Sequence, residues 1–135
     1  MSYDLMVFDQ AVAPRNRDNF IRWYEDVTKW DDPRDYFSPH GMTGNLGAFY
    51  DSLRQTFPPM NGPHAISEAQ VDDPEVTDYM LAESAIYMAF AWSVSGTARQ
   101  SVIQNAISAN VGFFDVSSPS GVIAHDRSVL MKLEF

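Results

Sequence analysis

The chain contains no cysteine. That excludes disulfides, thiolate-held iron–sulfur clusters, zinc ribbons and thiol nucleophiles. Basic charge is also scarce: nine Lys and Arg stand against 18 Asp and Glu, a formal net charge of −9. Such a surface repels a phosphate backbone, so nucleic acid is not expected as a partner. No apolar run is long enough to span a bilayer, and no membrane partner is expected. The first residues, Met1-Ser-Tyr-Asp-Leu-Met-Val-Phe-Asp9, carry an acid where a secretory signal needs basic residues. The expected compartment is therefore the cytoplasm. At 135 residues, 45% of them hydrophobic, the chain is expected to form one domain, 1–135, with a substantial core.

Catalytic signatures are missing too. The chain has no Gly-x-Ser-x-Gly elbow and no Gly-rich phosphate loop with its lysine. Its three histidines, His40, His64 and His125, lie far apart and lack a metal-ligand spacing. No catalytic residue, metal or cofactor is expected, and the balance leans away from an enzyme.

What is there begins with Ala85-Ile-Tyr-Met-Ala-Phe-Ala-Trp-Ser-Val94, a run without charge, proline or glycine. Large Ile86, Met88, Phe90 and Trp92 alternate with Tyr87, Ala89, Ala91 and Ser93, the period of a strand. Near-continuous apolarity predicts a central strand covered on both faces. Its large-residue face should meet helices. Its small-residue face admits close approach by the second helix, a second subunit or a ligand.

Periodicity places the rest. Tyr3 to Phe8 reads as a first strand with Asp4 as its only charge. A first helix follows Pro14 on the stripe Phe20, Trp23, Tyr24 and Val27, ending near Trp30. Residues 31–44 form a loop. A second helix, capped by Asn45, carries Leu46, Phe49, Tyr50, Leu53 and Phe57 and stops at Pro58. Phe57-Pro-Pro-Met-Asn-Gly-Pro63 is a rigid turn, and an acidic irregular segment runs on to Glu75. Val76 to Ala82 is a second strand, joined through Glu83-Ser84 to the central one. Ser95 is read as the cap of a third helix over 96–109, and Gly112 to Val116 as a further strand. Val122 to Ala124 extends the sheet, and Val129 to Phe135 reads as another strand.

The order β-α-α-β-β-α-β predicts an α+β fold, a ferredoxin-like split β-α-β sheet with an additional helix after the first strand. In that plan the first and third strands are expected to lie parallel at the centre. The first and third helices are expected on one face, and the second helix or a second subunit on the other.

The segments Tyr3-Asp-Leu-Met-Val-Phe-Asp9, Phe57-Pro-Pro-Met-Asn-Gly-Pro63, Phe90-Ala-Trp-Ser93 and Gly112-Phe-Phe-Asp-Val-Ser117 together resemble a group of small bacterial hypothetical proteins of similar length. The resemblance covers most of residues 3–117 and implies one bacterial cytosolic domain. After Ser117 the chain departs from the group's pattern, an acidic turn followed by a short apolar strand containing Trp. The resemblance carries no activity and transfers no catalytic residue.

Six residues are candidates for ligand or partner binding. Asp9 closes the first strand, and Trp92 and Ser93 end the central one. Asn61 and His64 belong to the rigid turn, and Asp115 sits inside an apolar strand, where an unpaired charge is costly. Antiparallel pairing would set Asp115 nearer Asp4 than Asp9, which disfavours an Asp9–Asp115 dyad. The loop aromatics Trp30, Tyr36 and Phe37, with Met60, suit a pocket or an interface. Basic residues cluster in 15–34 and none occurs between Arg54 and Arg99, which predicts an acidic flank. The leading expectation is a non-enzymatic acidic protein acting through self-association, as a homodimer, or through a basic partner in the manner of an immunity or antitoxin protein. The alternative is a small-molecule-binding protein or enzyme with its cleft at the ends of the central strands.

Overall fold

The computed structural model describes residues 2–39, 42, 44–65, 73–119 and 121–133. Within them the chain is α+β, with four α-helices and one five-stranded antiparallel sheet. The strands are β1 (Tyr3–Phe8), β2 (Asp78–Leu81), β3 (Ala85–Phe90), β4 (Gly112–Phe114) and β5 (Ile123–Ala124). The helices are α1 (Arg17–Val27), α2 (Gly44–Leu53), α3 (Ser95–Ala109) and α4 (Arg127–Leu133).

The sheet runs β2-β3-β1-β4-β5. Its middle is β1, paired with β3 from Tyr3↔Phe90 to Phe8↔Ala85 and with β4 from Met6↔Phe114 to Phe8↔Gly112. The expected parallel pairing of the first and third strands is thus overturned: they are antiparallel. Directions still alternate so that β1 and β2 run the same way with β3 between them, as do β3 and β4 around β1.

Leu5, Met6, Val7 and Phe8 are all fully buried, because a strand in mid-sheet loses water on both faces. Leu5 and Val7 join Leu81, Ile86, Met88, Phe90 and Phe113 beneath α2, α3 and α4. Met6 and Phe8 turn the other way, with Ala85 and Phe114, under Phe20 of α1. The expected placement of helices is therefore corrected. The second and third share a face, and the first covers the opposite one. The small-residue face of β3 is approached by α1 of the same chain, not by the second helix.

Local chemistry sets the boundaries. Asn16 caps α1, its Oδ1 accepting from the Asn19 N–H at 3.2 Å, so the helix starts three residues beyond Pro14. Ser95 is the first residue of α3 and not its cap. The cap position is Val94, with no side-chain bond to the helix. Asn110, at φ 58°, closes α3 in the left-handed conformation that asparagine tolerates. β3 stops at Phe90 rather than Val94, since Trp92–Val94 form a 3₁₀ turn feeding α3. Trp92 consequently leaves the helix-covered face and is 48% exposed. Val129 onward is helix, not strand: Leu130 is buried and Leu133 partly so, while Val129 and Met131 face solvent, a three-residue period. Glu134 and Phe135 lie outside the described residues.

The outer edge of β2 is bonded at its two ends. Thr77 just before it bonds Pro58 and Met60 (2.9 and 3.0 Å), and the Leu81 N–H donates to the Tyr36 carbonyl at 2.7 Å. These bonds occupy groups that would otherwise recruit another strand.

Gly112 faces Phe8 across the β1–β4 ladder, and the Phe8 ring lies over it. A Cβ there would sit 2.1 Å from a ring carbon. Replacing Gly112 with Ala should destabilise the fold by about 2 kcal/mol, the usual cost of overpacking a filled core. Urea denaturation would measure it. A change under about 0.5 kcal/mol would mean that the ring moves freely.

Candidate functional site

α1 covers only part of its face of the sheet. Beyond Met6 and Tyr87, towards the start of β1, that face carries Asp4, Ala89 and Asp78. They are cross-strand partners in one row, Asp4↔Ala89↔Asp78. Partners in register point to the same side, so the two carboxylates flank a methyl group. The Tyr87 hydroxyl donates to Asp4 Oδ2, and Ser2 donates to Asp4 Oδ1 at 2.5 Å. Tyr24 of α1 shares a hydrogen bond with Tyr87. Ser117 fixes the strand, its Oγ accepting from the Asp4 N–H at 2.7 Å. On the far side Asn61 hydrogen-bonds the Asp78 carboxylate, while the buried Asp78 Oδ1 has no partner.

Burial raises the pKa of Asp78 above the ordinary carboxyl value, the Asn61 bond partly opposes this, and the charge of Asp4 adds to it. Burial and the bond to Asp4 raise that of Tyr87. Such a phenol keeps its proton near neutral pH and serves as a hydrogen-bond donor, not as an acid–base catalyst, whose pKa must lie near the working pH.

A second acidic region lies where α1 ends. Asp26, Asp31, Asp32 and Glu83 line a cleft of about 160 Å³ with the rings of Trp23 and Tyr36. Helix α1 presents its C-terminal end here, the negative pole of its dipole. Lys29 reaches Asp26 at 3.5 Å. The cleft is held by a bond from the Asp32 N–H to the Tyr36 hydroxyl at 2.9 Å. Trp30, at φ 54°, stands between the two acidic regions with its ring edge-on to Tyr36 (5.2 Å) and to Tyr87 (5.9 Å). One face thus carries six carboxylates around an aromatic ridge.

Of the sequence candidates, Asn61 reaches this face. The others disperse, because β1 and β3 run in opposite directions. Asp9 ends β1 at the opposite end of the sheet from Trp92 and Ser93. Its Oδ1 accepts from the Ala11 N–H at 2.9 Å, and it borders a cavity with Asn45 and Asn110. The exposed Trp92 rests on Tyr3 (5.2 Å), and Ser93 is exposed beside it. His64 is exposed and lies 6.0 Å from the Tyr50 ring. The expected cleft joining Asp9, Trp92, Ser93 and the Asn61–His64 loop therefore does not form.

Asp115 is nearer Asp4 than Asp9, as the pairing implied, but it is buried against α3, accepting from Arg99 Nε at 3.1 Å. Burial, followed by the Asp115 charge, pushes the neighbouring Tyr3 hydroxyl up to about 12, against a smaller opposing effect of Arg99. His40 lies outside the described residues.

Asp4, Asp78 and Tyr87 were not distinguishable as a site in sequence, since their proximity comes from register. The available signal was Asp4, the sole charge in an otherwise apolar strand. Among the described residues no group of three or more His or carboxylate side chains has metal-binding geometry. No helix among them is long and apolar enough to cross a membrane. No protein-family model, curated protein or solved structure gives a significant match to the chain.

Two outcomes follow. Arg99→Met strands the buried Asp115 carboxylate and should cost about 3 kcal/mol in urea denaturation. Adding Asp115→Leu should recover most of it, and no recovery would mean that the guanidinium acts through packing instead. For Asp78, a raised native pKa means that the folded state binds its proton more tightly than the unfolded state. Stability contributed by this group is lost as pH rises through that window. Asp78→Asn should therefore raise the thermal midpoint at pH 7, with the gain vanishing below the ordinary carboxyl value of 3.8. An equal midpoint at pH 7 would sink this account.

Proposed function

We propose that the chain is a non-enzymatic, cytoplasmic interaction domain that binds a cationic protein partner through the acidic–aromatic face described above. The single observation carrying the reading is the cleft at the end of α1. Four carboxylates meet two aromatic rings there at a helix C-terminus, a combination that attracts an ammonium or guanidinium by charge, dipole and cation–π contact. A carboxylate set without metal geometry favours an organic cation over a metal ion.

A basic partner is favoured over a second copy. Two chains of charge −9 repel one another through this face, and the β2 edge is bonded at its two ends. The proposal includes a ferredoxin-like topology built from β1, β2, β3, β4, α2 and α3, with α1 as the additional helix. The strand order and the two crossovers that each skip a strand support it. A bacterial origin rests on the motif resemblance alone. The enzyme reading is weakened by the Tyr87 hydroxyl, which is too weakly acidic to exchange its proton in the working range.

The test is titration of the chain with arginine amide and with a short oligoarginine peptide at low ionic strength, following tryptophan fluorescence. Binding should saturate, weaken as salt rises, and fall about tenfold in the Asp32→Asn/Glu83→Gln variant, with light scattering reporting a monomer throughout. Saturation unchanged by that variant would dismiss the cleft. A stable dimer would transfer the reading to self-association.

A further inference from the structure

The face of the sheet opposite the acidic cleft has an opening of its own. Where β1 ends, a cavity of about 270 Å³ lies between the start of α2 and the end of α3. Its floor is Leu46 and Val111, both buried in the core beneath these helices. Its polar lining comes from three separate elements: Asp9 after β1, Asn45 in α2 and Asn110 after α3. At about 30 Å³ per water the space equals about nine waters, room for one compact organic molecule. Gly44 completes the lining, and even an added Cβ there would meet nothing within 4 Å.

The fold leaves most of this polar capacity unused. Asp9 is held in place by its Oδ1, which accepts from the Ala11 N–H at 2.9 Å, and by its own N–H, which donates to the Ser84 carbonyl at 2.9 Å. Its other oxygen, Oδ2, has no Lys or Arg paired with it among the described residues. Asn45 follows Gly44, the first residue of α2, so its side chain stands past the capping position. Asn110 closes α3 through its left-handed backbone, which leaves its side chain uninvolved. Neither carboxamide has a hydrogen-bond partner among the described residues.

The chemistry of this lining selects its occupant. A carboxylate only accepts hydrogen bonds, while each carboxamide both donates and accepts. An ammonium group would satisfy Asp9 but leave the amide N–H groups without an acceptor. A carboxylate or phosphate would meet Asp9 as a like charge. Hydroxyl groups donate and accept, and so serve all three side chains. The helix poles favour neither sign, because α2 brings its positive end here and α3 its negative end. An aliphatic floor below a polar rim suits a molecule with C–H groups on one side and hydroxyls along its edge. We propose that the cavity binds a small neutral polyhydroxylated molecule, the size of a single sugar, with Asp9, Asn45 and Asn110 holding its hydroxyls. The site is independent of the cation-binding cleft, which lies across the sheet beside α1.

The experiment is saturation-transfer NMR and calorimetry on the full chain with ribose, glucose, myo-inositol and glycerol. Ethylammonium chloride and sodium acetate serve as charged controls. At least one of the four polyols should bind saturably, with an affinity that salt does not change. Asn45→Ala/Asn110→Gly should weaken that binding about tenfold, and Asp9→Asn, which keeps an acceptor for the Ala11 N–H, by about as much. Both asparagines are exposed at helix ends where alanine and glycine are tolerated, so the thermal midpoint of the double variant should stay unchanged. The Asp32→Asn/Glu83→Gln variant of the acidic cleft should leave polyol binding intact. Saturable binding by none of the four polyols would overturn the proposal, as would equally tight binding in both cavity variants. Tighter binding of ethylammonium, lost in Asp9→Asn, would overturn it in favour of a cation site.

Discussion

The structure depends on one constraint: β1 has neighbours in every direction. It is bonded to β3 on one side and β4 on the other, and its two faces lie under different helices. The part of the strand enclosed in this way has no room for a polar side chain, and Leu5 to Phe8 contain none. Everything else is arranged to seal it. α2, α3 and α4 close the face of Leu5 and Val7. α1 closes the face of Met6 and Phe8, and Gly112 yields space for the Phe8 ring.

The same arrangement explains why part of the sheet is left without a helix. An eleven-residue helix is short, and α1 is anchored over Phe8 and Phe114 by Phe20 and Tyr24. It leaves the opening of β1 and the far half of β3 without a helix above them. There Asp4 stays partly exposed, and the small Ala89 and polar Asp78 replace the large apolar residues of the helix-covered side. Trp30 lies over Tyr87 in the space where a longer helix would have continued. The uncovered half of the face is where charge can be kept at low cost, and charge is what it carries.

Much of the fold was legible in sequence, but not its sidedness. The stripe Phe20, Trp23, Tyr24, Val27 marks a helix with one covered face, and the alternation in 85–90 marks a strand. Neither pattern states which side of the sheet a helix crosses, because that choice depends on where the chain next pairs. The strand direction failed for the same reason. Residues Ile86 to Phe90 read identically in parallel and antiparallel ladders. Val129 to Phe135 failed differently: seven residues are too few to separate a period of two from one of three or four. Asn61 stood out in sequence because Asn-Gly after two prolines marks a fixed turn. Asp78 did not, because its significance lies in sharing a row with Asp4, 74 positions away in the chain.

The electrostatics of the face bear on why it persists. Burying Asp78 beside Asp4 leaves a carboxylate oxygen without a partner, and in the free chain this interaction opposes folding. The buried Asp115 also keeps one oxygen without a partner, but Arg99 meets the other at 3.1 Å. The repulsion between Asp4 and Asp78 is an electrostatic cost that no ion pair among the described residues offsets. Asp26, Asp31, Asp32 and Glu83 follow the same logic more weakly, being exposed and screened by solvent, with Lys29 offsetting one of them.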